Sequence, residues 1–134
     1  MNNTKAFTLT EIMVVVILIG IIAAFGIPNY QKAVDKAHER DAVIQLTALH
    51  AANRVYQAQV GTYLVGTNLD IDDINSGMGI NLIANELDYL YNSDGTTFTA
   101  TATYRSFTVG VTESAIVKDT NPYCVTPGTC PSLP

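Results

Sequence analysis

The chain has 134 residues, no tryptophan, two cysteines, two histidines and only 14% charged residues. Each shortage removes a class of function. Seven basic residues face twelve acidic ones, for a net charge of -5. Past Ile27 the basic residues are Lys32, Lys36, Arg40, Arg54, Arg105 and Lys118, opposed by eleven acidic ones. That balance argues against a domain whose main task is gripping a phosphate backbone. His38 and His50 lie twelve apart on a predicted helix, not at the i, i+4 spacing of a helical metal pair. No metal site and no cofactor are expected. No Ser-His-Asp or Cys-His arrangement is suggested, and no Gly-rich phosphate loop is present, so the chain is not expected to be an enzyme.

What the chain does have is an uneven distribution of apolar residues. Hydrophobic content is 48%, an ordinary value for a globular domain. Sixteen consecutive residues, Ile12 to Ile27, carry no charged or polar side chain. The remainder is more polar and supports one domain with a small core. Glu11 stands at the mouth of the apolar run. An unpaired carboxylate beside hydrocarbon costs several kcal/mol, on the order of 3 by insertion scales, so a partner is expected for it.

Cys124 and Cys130, separated by five residues, lie in a Pro/Gly/Thr-rich segment. Paired, they imply an oxidising compartment. The alternative is two free thiols in a cytosolic tail, against which the N-terminal segment argues.

That segment reads in three ways. A secretory signal needs a basic start and a small-residue cleavage site after a short apolar core. Here Lys5 is the sole basic residue and the apolar run continues past Ala23-Ala24. A single-pass anchor fits the length: Phe7 to Pro28 is 22 residues, about 33 Å as a helix, enough to span a bilayer core. It leaves Glu11 unexplained.

The third reading rests on register. Ala6-Phe7-Thr8-Leu9-Thr10-Glu11, the apolar run and Pro28 together resemble the type III signal of type IV pilins and their pseudopilin relatives. The resemblance covers about thirty residues. It implies cleavage by the prepilin peptidase between Ala6 and Phe7, and N-methylation of Phe7. It implies that Glu11 pairs with the Phe7 amine of a neighbouring subunit. Both ions would be poorly solvated in a filament core, so the pair would check register more than add net stability. Two positions depart from the usual pattern: Ala6 stands where Gly is common, and Thr10 where an aliphatic residue is common. Pro28 matches the family's helix-kinking proline. Gly20, Gly26 and Pro28 weaken helix locally, and the resemblance makes 20–28 the zone expected to melt on assembly. In the membrane the free subunit should be helical throughout, since unpaired backbone there is costly.

The expected fold class is α+β. A long N-terminal helix, hydrophobic in its first half and amphipathic in its second, packs on a small antiparallel sheet, with a C-terminal disulfide loop. The expected division is a leader over 1–6, a membrane and filament-core helix over 7–28, an amphipathic helix over 29–60, and a head over 61–134. Val34, Ala37, Asp41, Ile44, Ala48, Ala51, Val55 and Ala58 follow a 3-4 spacing, widened by Leu46, Leu49 and Tyr56. This predicts the stripe facing the sheet, with Lys32, Asp35, Lys36, Glu39 and Arg40 outside. The helix should stop near Gly61.

Residues 61–95 read as a loop-rich connector. Asp70, Asp72 and Asp73, near Asn68 and Asn75, lack the EF-hand pattern and read as a solvated acidic loop. Ile80, Ile83, Leu87 and Leu90 suggest a short helix over 80–90. Phe98 to Tyr104 alternates with period two, and Phe107 to Thr112 follows after Arg105-Ser106, a hairpin with an unfavoured turn pair. Residues 115–117 suggest a third strand.

The function implied by the resemblance is a structural subunit of a type IV pilus, serving adhesion, twitching motility or DNA uptake. Its partners would be copies of itself in a helical homopolymer, the prepilin peptidase, the pilus assembly platform and minor pilins. It would reside in the inner membrane as precursor, then in an extracellular filament. The runner-up is a pseudopilin of a type II secretion system; the cysteine pair favours a pilin, because major pseudopilins usually use calcium there. A competence pilin binding DNA is third and predicts an exposed basic strip, to which six scattered basic residues lend little.

Overall fold

The computed structural model describes residues 7–105, 107–116, 121–126, 129–131 and 133. The proposed cleavage residue Ala6 and Val117 of the expected third strand lie outside them. The chain divides into two compact units, 1–34 and 35–134.

The first element is one long helix, α1 (Leu9–Val60), with Pro28 inside it. Proline removes one backbone donor. Beside that gap the Asn29 side-chain amide donates to the Phe25 carbonyl at 3.2 Å. The helix stops where Gly61 takes a φ of 92°, a left-handed conformation that glycine adopts without strain.

The sheet is a five-stranded antiparallel meander, β1 (Gly66–Leu69), β2 (Asp88–Ser93), β3 (Phe98–Tyr104), β4 (Phe107–Thr112) and β5 (Tyr123–Cys124), in sequence order. The alternation in Phe98-Thr-Ala-Thr-Ala-Thr-Tyr104 does what period two dictates: Phe98, Ala100, Ala102 and Tyr104 are buried. Phe107, Val109 and Val111 face the same core, and Tyr104 pairs with Phe107 across the tight turn. Arg105 accepts a φ of 46° there, the strain expected of an unfavoured turn residue. These residues join Ala42, Leu46 and Leu49 of the helix and Tyr89 and Tyr91 of β2 in one core. On the opposite face of β4, Gly110 leaves room for the Tyr123 ring, whose Cζ would sit 2.9 Å from any Cβ at that position.

Four expectations change. First, the core face of α1 is only partly the predicted one: Leu46 and Leu49 are buried as expected, but the main stripe is not. The buried residues of α1 are Glu39, Ala42, Leu46, Leu49, His50 and Asn53. Ile44, at 67% exposure, and Val55 are exposed, as are Ala48 and Ala51. Two positions along a helix turn by about 200°, so the stripe from Ile44 to Val55 points almost opposite to Leu46. Glu39, expected in solvent, is 1% exposed and accepts the Leu133 amide at 2.8 Å.

Second, residues 61–95 are more ordered than a connector. They hold β1, a helix α2 (Ile71–Met78) and β2. Asp70 caps α2, accepting the Asp72 and Asp73 amides at 3.0 Å each. The acidic cluster is thereby a helix start. Gly79 ends α2 with a φ of 66°.

Third, residues 80–87 are not helical, and side-chain amides take the backbone groups of Leu82 and Ile83. Asn75 binds the Leu82 N–H and C=O at 2.7 and 3.0 Å. Gln45 does the same for Ile83 at 3.0 and 2.6 Å.

Fourth, Ala115 and Ile116 lie in no strand. The Asn121 side chain bonds Thr112 N–H and the Ser114 carbonyl, at 3.1 and 2.7 Å. The chain then returns as β5, pairing Val109 with Cys124 and Gly110 with Tyr123. Cys124 and Cys130 form the disulfide.

Candidate assembly site

Phe7 and Thr8 precede the helix, which begins at Leu9. Helix starts leave backbone N–H groups without intrahelical partners, and in lipid nothing else supplies one. Thr8 and Glu11 supply each other. The Thr8 amide donates to Glu11 Oε2 at 2.9 Å, and the Thr8 hydroxyl donates to the same oxygen at 2.7 Å. In return the Glu11 amide donates to Thr8 Oγ1 at 3.3 Å. This is a reciprocal capping box of the pattern Thr-x-x-Glu. The carboxylate also sits at the positive end of the helix dipole. The pattern is legible in the sequence as Thr8-Leu9-Thr10-Glu11 ahead of an apolar run, but the expected function drew attention only to Glu11.

Phe7 is 82% exposed. It shares with Thr10, Glu11, Val14 and Val15 a groove of about 420 Å³. Beyond them the large apolar residues from Ile12 to Ile27 are all at least half exposed. Among the described residues α1 is the one helix long and apolar enough to cross a membrane. Gly20 and Gly26 lie inside it, with open space where a Cβ would stand.

The remaining candidates are dispersed. His38 stacks on Tyr104 with ring centroids 4.0 Å apart, and His50 Nε2 lies 2.9 Å from the Ser114 carbonyl. Both histidines thus belong to the packing of the unit 35–134. Among the described residues no group of three or more His, Cys, Asp or Glu is placed to hold a metal ion. Cys124 and Cys130 stand apart from the N-terminal site in sequence and serve the C-terminal loop.

Residues 1–27 match the family model for the prokaryotic N-terminal methylation motif. Several relatives match over longer stretches. The Type II secretion system core protein G of Vibrio cholerae is 38% identical over 63 residues, 47% of this chain and 43% of that protein. The Type IV major pilin protein PilA of Myxococcus xanthus is 37% identical over 61 residues, 46% of this chain and 28% of that protein. A fimbrial protein of Pseudomonas aeruginosa is 44% identical over 52 residues, 39% of this chain and 34% of that protein. The chain spans less than half the length of each of these relatives. No solved structure matches it significantly.

The methylation motif and these relatives make the chain similar, over less than half of its length, to the type IV pilin and type II pseudopilin family. Members of that family are structural proteins rather than enzymes. The relatives fall on both the pilin and the secretion side of it.

Proposed function

We propose that the chain is the structural subunit of a type IV pilus. The observation that carries this is the N-terminal helix: a capped carboxylate at its start, then sixteen residues with no polar side chain, exposed on every side. Such a surface needs an apolar surround. The bilayer provides one before assembly, and the helices of other copies provide one afterwards. Cleavage before Phe7 and N-methylation of the new amine would create a cation that keeps its charge. Glu11 of a neighbouring copy would pair with it. Residues 1–6 act as leader, 7–28 as membrane anchor and filament core, 29–60 as the helix continuing to the head, and 61–134 as the surface-facing remainder. Gly20, Gly26 and Pro28 mark the stretch that loses helix on assembly. The subunit moves from the inner membrane to an extracellular filament, handled by the prepilin peptidase, the assembly platform and minor pilins.

Electron microscopy of sheared surface material tests this. The source bacterium should yield thin filaments that vanish on deletion of the coding sequence and return with it. Unchanged filaments in the deletion strain would refute a major structural role.

A second reading, a pseudopilin of a type II secretion system, is favoured by the likeness to core protein G of Vibrio cholerae. The Cys124–Cys130 disulfide supports the pilin reading instead. Melting with and without chelator separates the two. A calcium-dependent midpoint, together with failed protein secretion in the deletion strain, would favour the pseudopilin. An adhesive, motile or DNA-uptake role is assigned by comparing surface binding, twitching and transformation in the same strains.

A further inference from the structure

We propose that Thr8 is the positioning residue of the assembly site, holding the Glu11 carboxylate for the incoming cation; this rests on the pilin reading above. Three contacts carry it: the two Thr8 donors on Glu11 Oε2, at 2.9 and 2.7 Å, and the return bond from the Glu11 amide at 3.3 Å.

The chemistry of the box matters for what cleavage does. Its backbone donor is the Thr8 amide, not the Phe7 nitrogen. Cutting the bond before Phe7 turns the Phe7 nitrogen into an amine but removes no bond from the box. The same geometry therefore holds in precursor and mature chain. The new cation is left outside the helix, which starts only at Leu9.

The box also leaves room for a second partner. Both Thr8 contacts fall on Oε2. A carboxylate offers about four acceptor positions, so an ammonium group can be added without breaking them. A free glutamate side chain would lose rotamer freedom on pairing. Thr8 removes that freedom beforehand and keeps the carboxylate in the groove it shares with Phe7, Thr10, Val14 and Val15. Preorganisation of this kind lowers the cost of association rather than adding a new contact.

The test uses the full chain expressed in the source bacterium lacking its own copy. Sheared filament yield and intact mass of the membrane pool are read for wild type, Glu11→Ala, Thr8→Val, Thr8→Ser and Thr8→Asp. Thr8→Val keeps the shape but has no hydroxyl. Its membrane pool should be cut before Phe7 like wild type, with filament yield down about tenfold, the loss expected for one hydrogen bond to a charged group. Thr8→Ser should restore filaments. Thr8→Asp caps a helix but has no O–H to donate, and should stay as low as Thr8→Val. Recovery in Thr8→Asp would mean that capping alone suffices, and overturns the proposal. Failure of Thr8→Ser, or filament loss with the leader still attached in Thr8→Val, overturns it as well. Normal yield in Thr8→Val beside a blocked Glu11→Ala overturns the positioning role and leaves the pilin reading standing. Normal yield in Glu11→Ala removes the pairing on which both rest.

Discussion

Asn53 of α1 and Tyr91 of β2 are joined by a 2.7 Å hydrogen bond between two fully buried side chains. The Tyr91 hydroxyl donates in turn to the Leu64 carbonyl at 3.0 Å, and the Leu64 amide donates to Asn53 Oδ1 at 3.3 Å. The ring of contacts ties the end of the helix to the sheet and to the segment leading into β1. A closed buried network is costly to open, because each freed group stays dry. Asn53→Ala should destabilise the head by about 2–3 kcal/mol, and Tyr91→Phe by about 1–2 kcal/mol. Denaturant unfolding of the detergent-solubilised chain measures both. The double variant should cost less than the sum, since the two residues share one network.

The exposed stripe of α1 makes the opposite prediction. Ile44 and Val55 stand outside the core. Ile44→Ser should change head stability by no more than about 0.5 kcal/mol, the range of ordinary surface substitutions. Leu46→Ala, two positions along and fully buried, should cost about 2–5 kcal/mol. Reversal of that order in unfolding experiments would contradict the register of the helix on the sheet.

Glu39 fixes the C-terminal end through the Leu133 amide. Glu39→Gln keeps an acceptor oxygen and should leave that contact intact. Glu39→Ala removes it and should speed hydrogen exchange at Leu133 by about tenfold or more, as for a lost bond to a charged group. Site-resolved amide exchange checks the pair of variants.

Asp94 predicts a pH dependence. It accepts the Thr97 amide at 2.7 Å and the Thr96 amide at 2.8 Å, in the turn between β2 and β3. These bonds, the Thr97 amide foremost, hold its carboxyl below the ordinary carboxylate value, against a smaller opposing effect of burial. A depressed pKa contributes stability that is present above the unfolded value, about 3.9, and lost as pH falls through the folded one. The melting midpoint of wild type should therefore drop more steeply below about pH 4 than that of Asp94→Asn, whose side chain cannot gain the proton. Parallel acid slopes in the two would remove Asp94 from the effect.

Much of the architecture was legible because its signals are periodic. The sixteen apolar residues, the alternation of Phe98 to Tyr104 and the stop at Gly61 each follow from one backbone period or one dihedral preference. The failures share a cause too: polar side chains that do backbone work. Asn75 and Gln45 occupy the backbone of 82 and 83, where a helix is expected. Asn121 holds the chain just before and at the start of the expected third strand, through the Ser114 and Ala115 carbonyls. Glu39, His50 and Asn53 hold core positions that a hydrophobic stripe cannot reveal. Spacing alone therefore centred the stripe on Ile44 and Val55, and only its widening residues Leu46 and Leu49 reached the core. At the candidate site, Glu11 was legible as an anomaly of charge, and Thr8 was legible only as a capping pattern.

The central claim is that this chain polymerises after a cut that creates the partner of Glu11. Intact-mass measurement of the subunit in purified filaments tests it most directly. The account predicts a chain that begins at Phe7, carries one added methyl group, and has Cys124 and Cys130 oxidised. Filaments built of subunits still carrying the leader through Ala6 would contradict it.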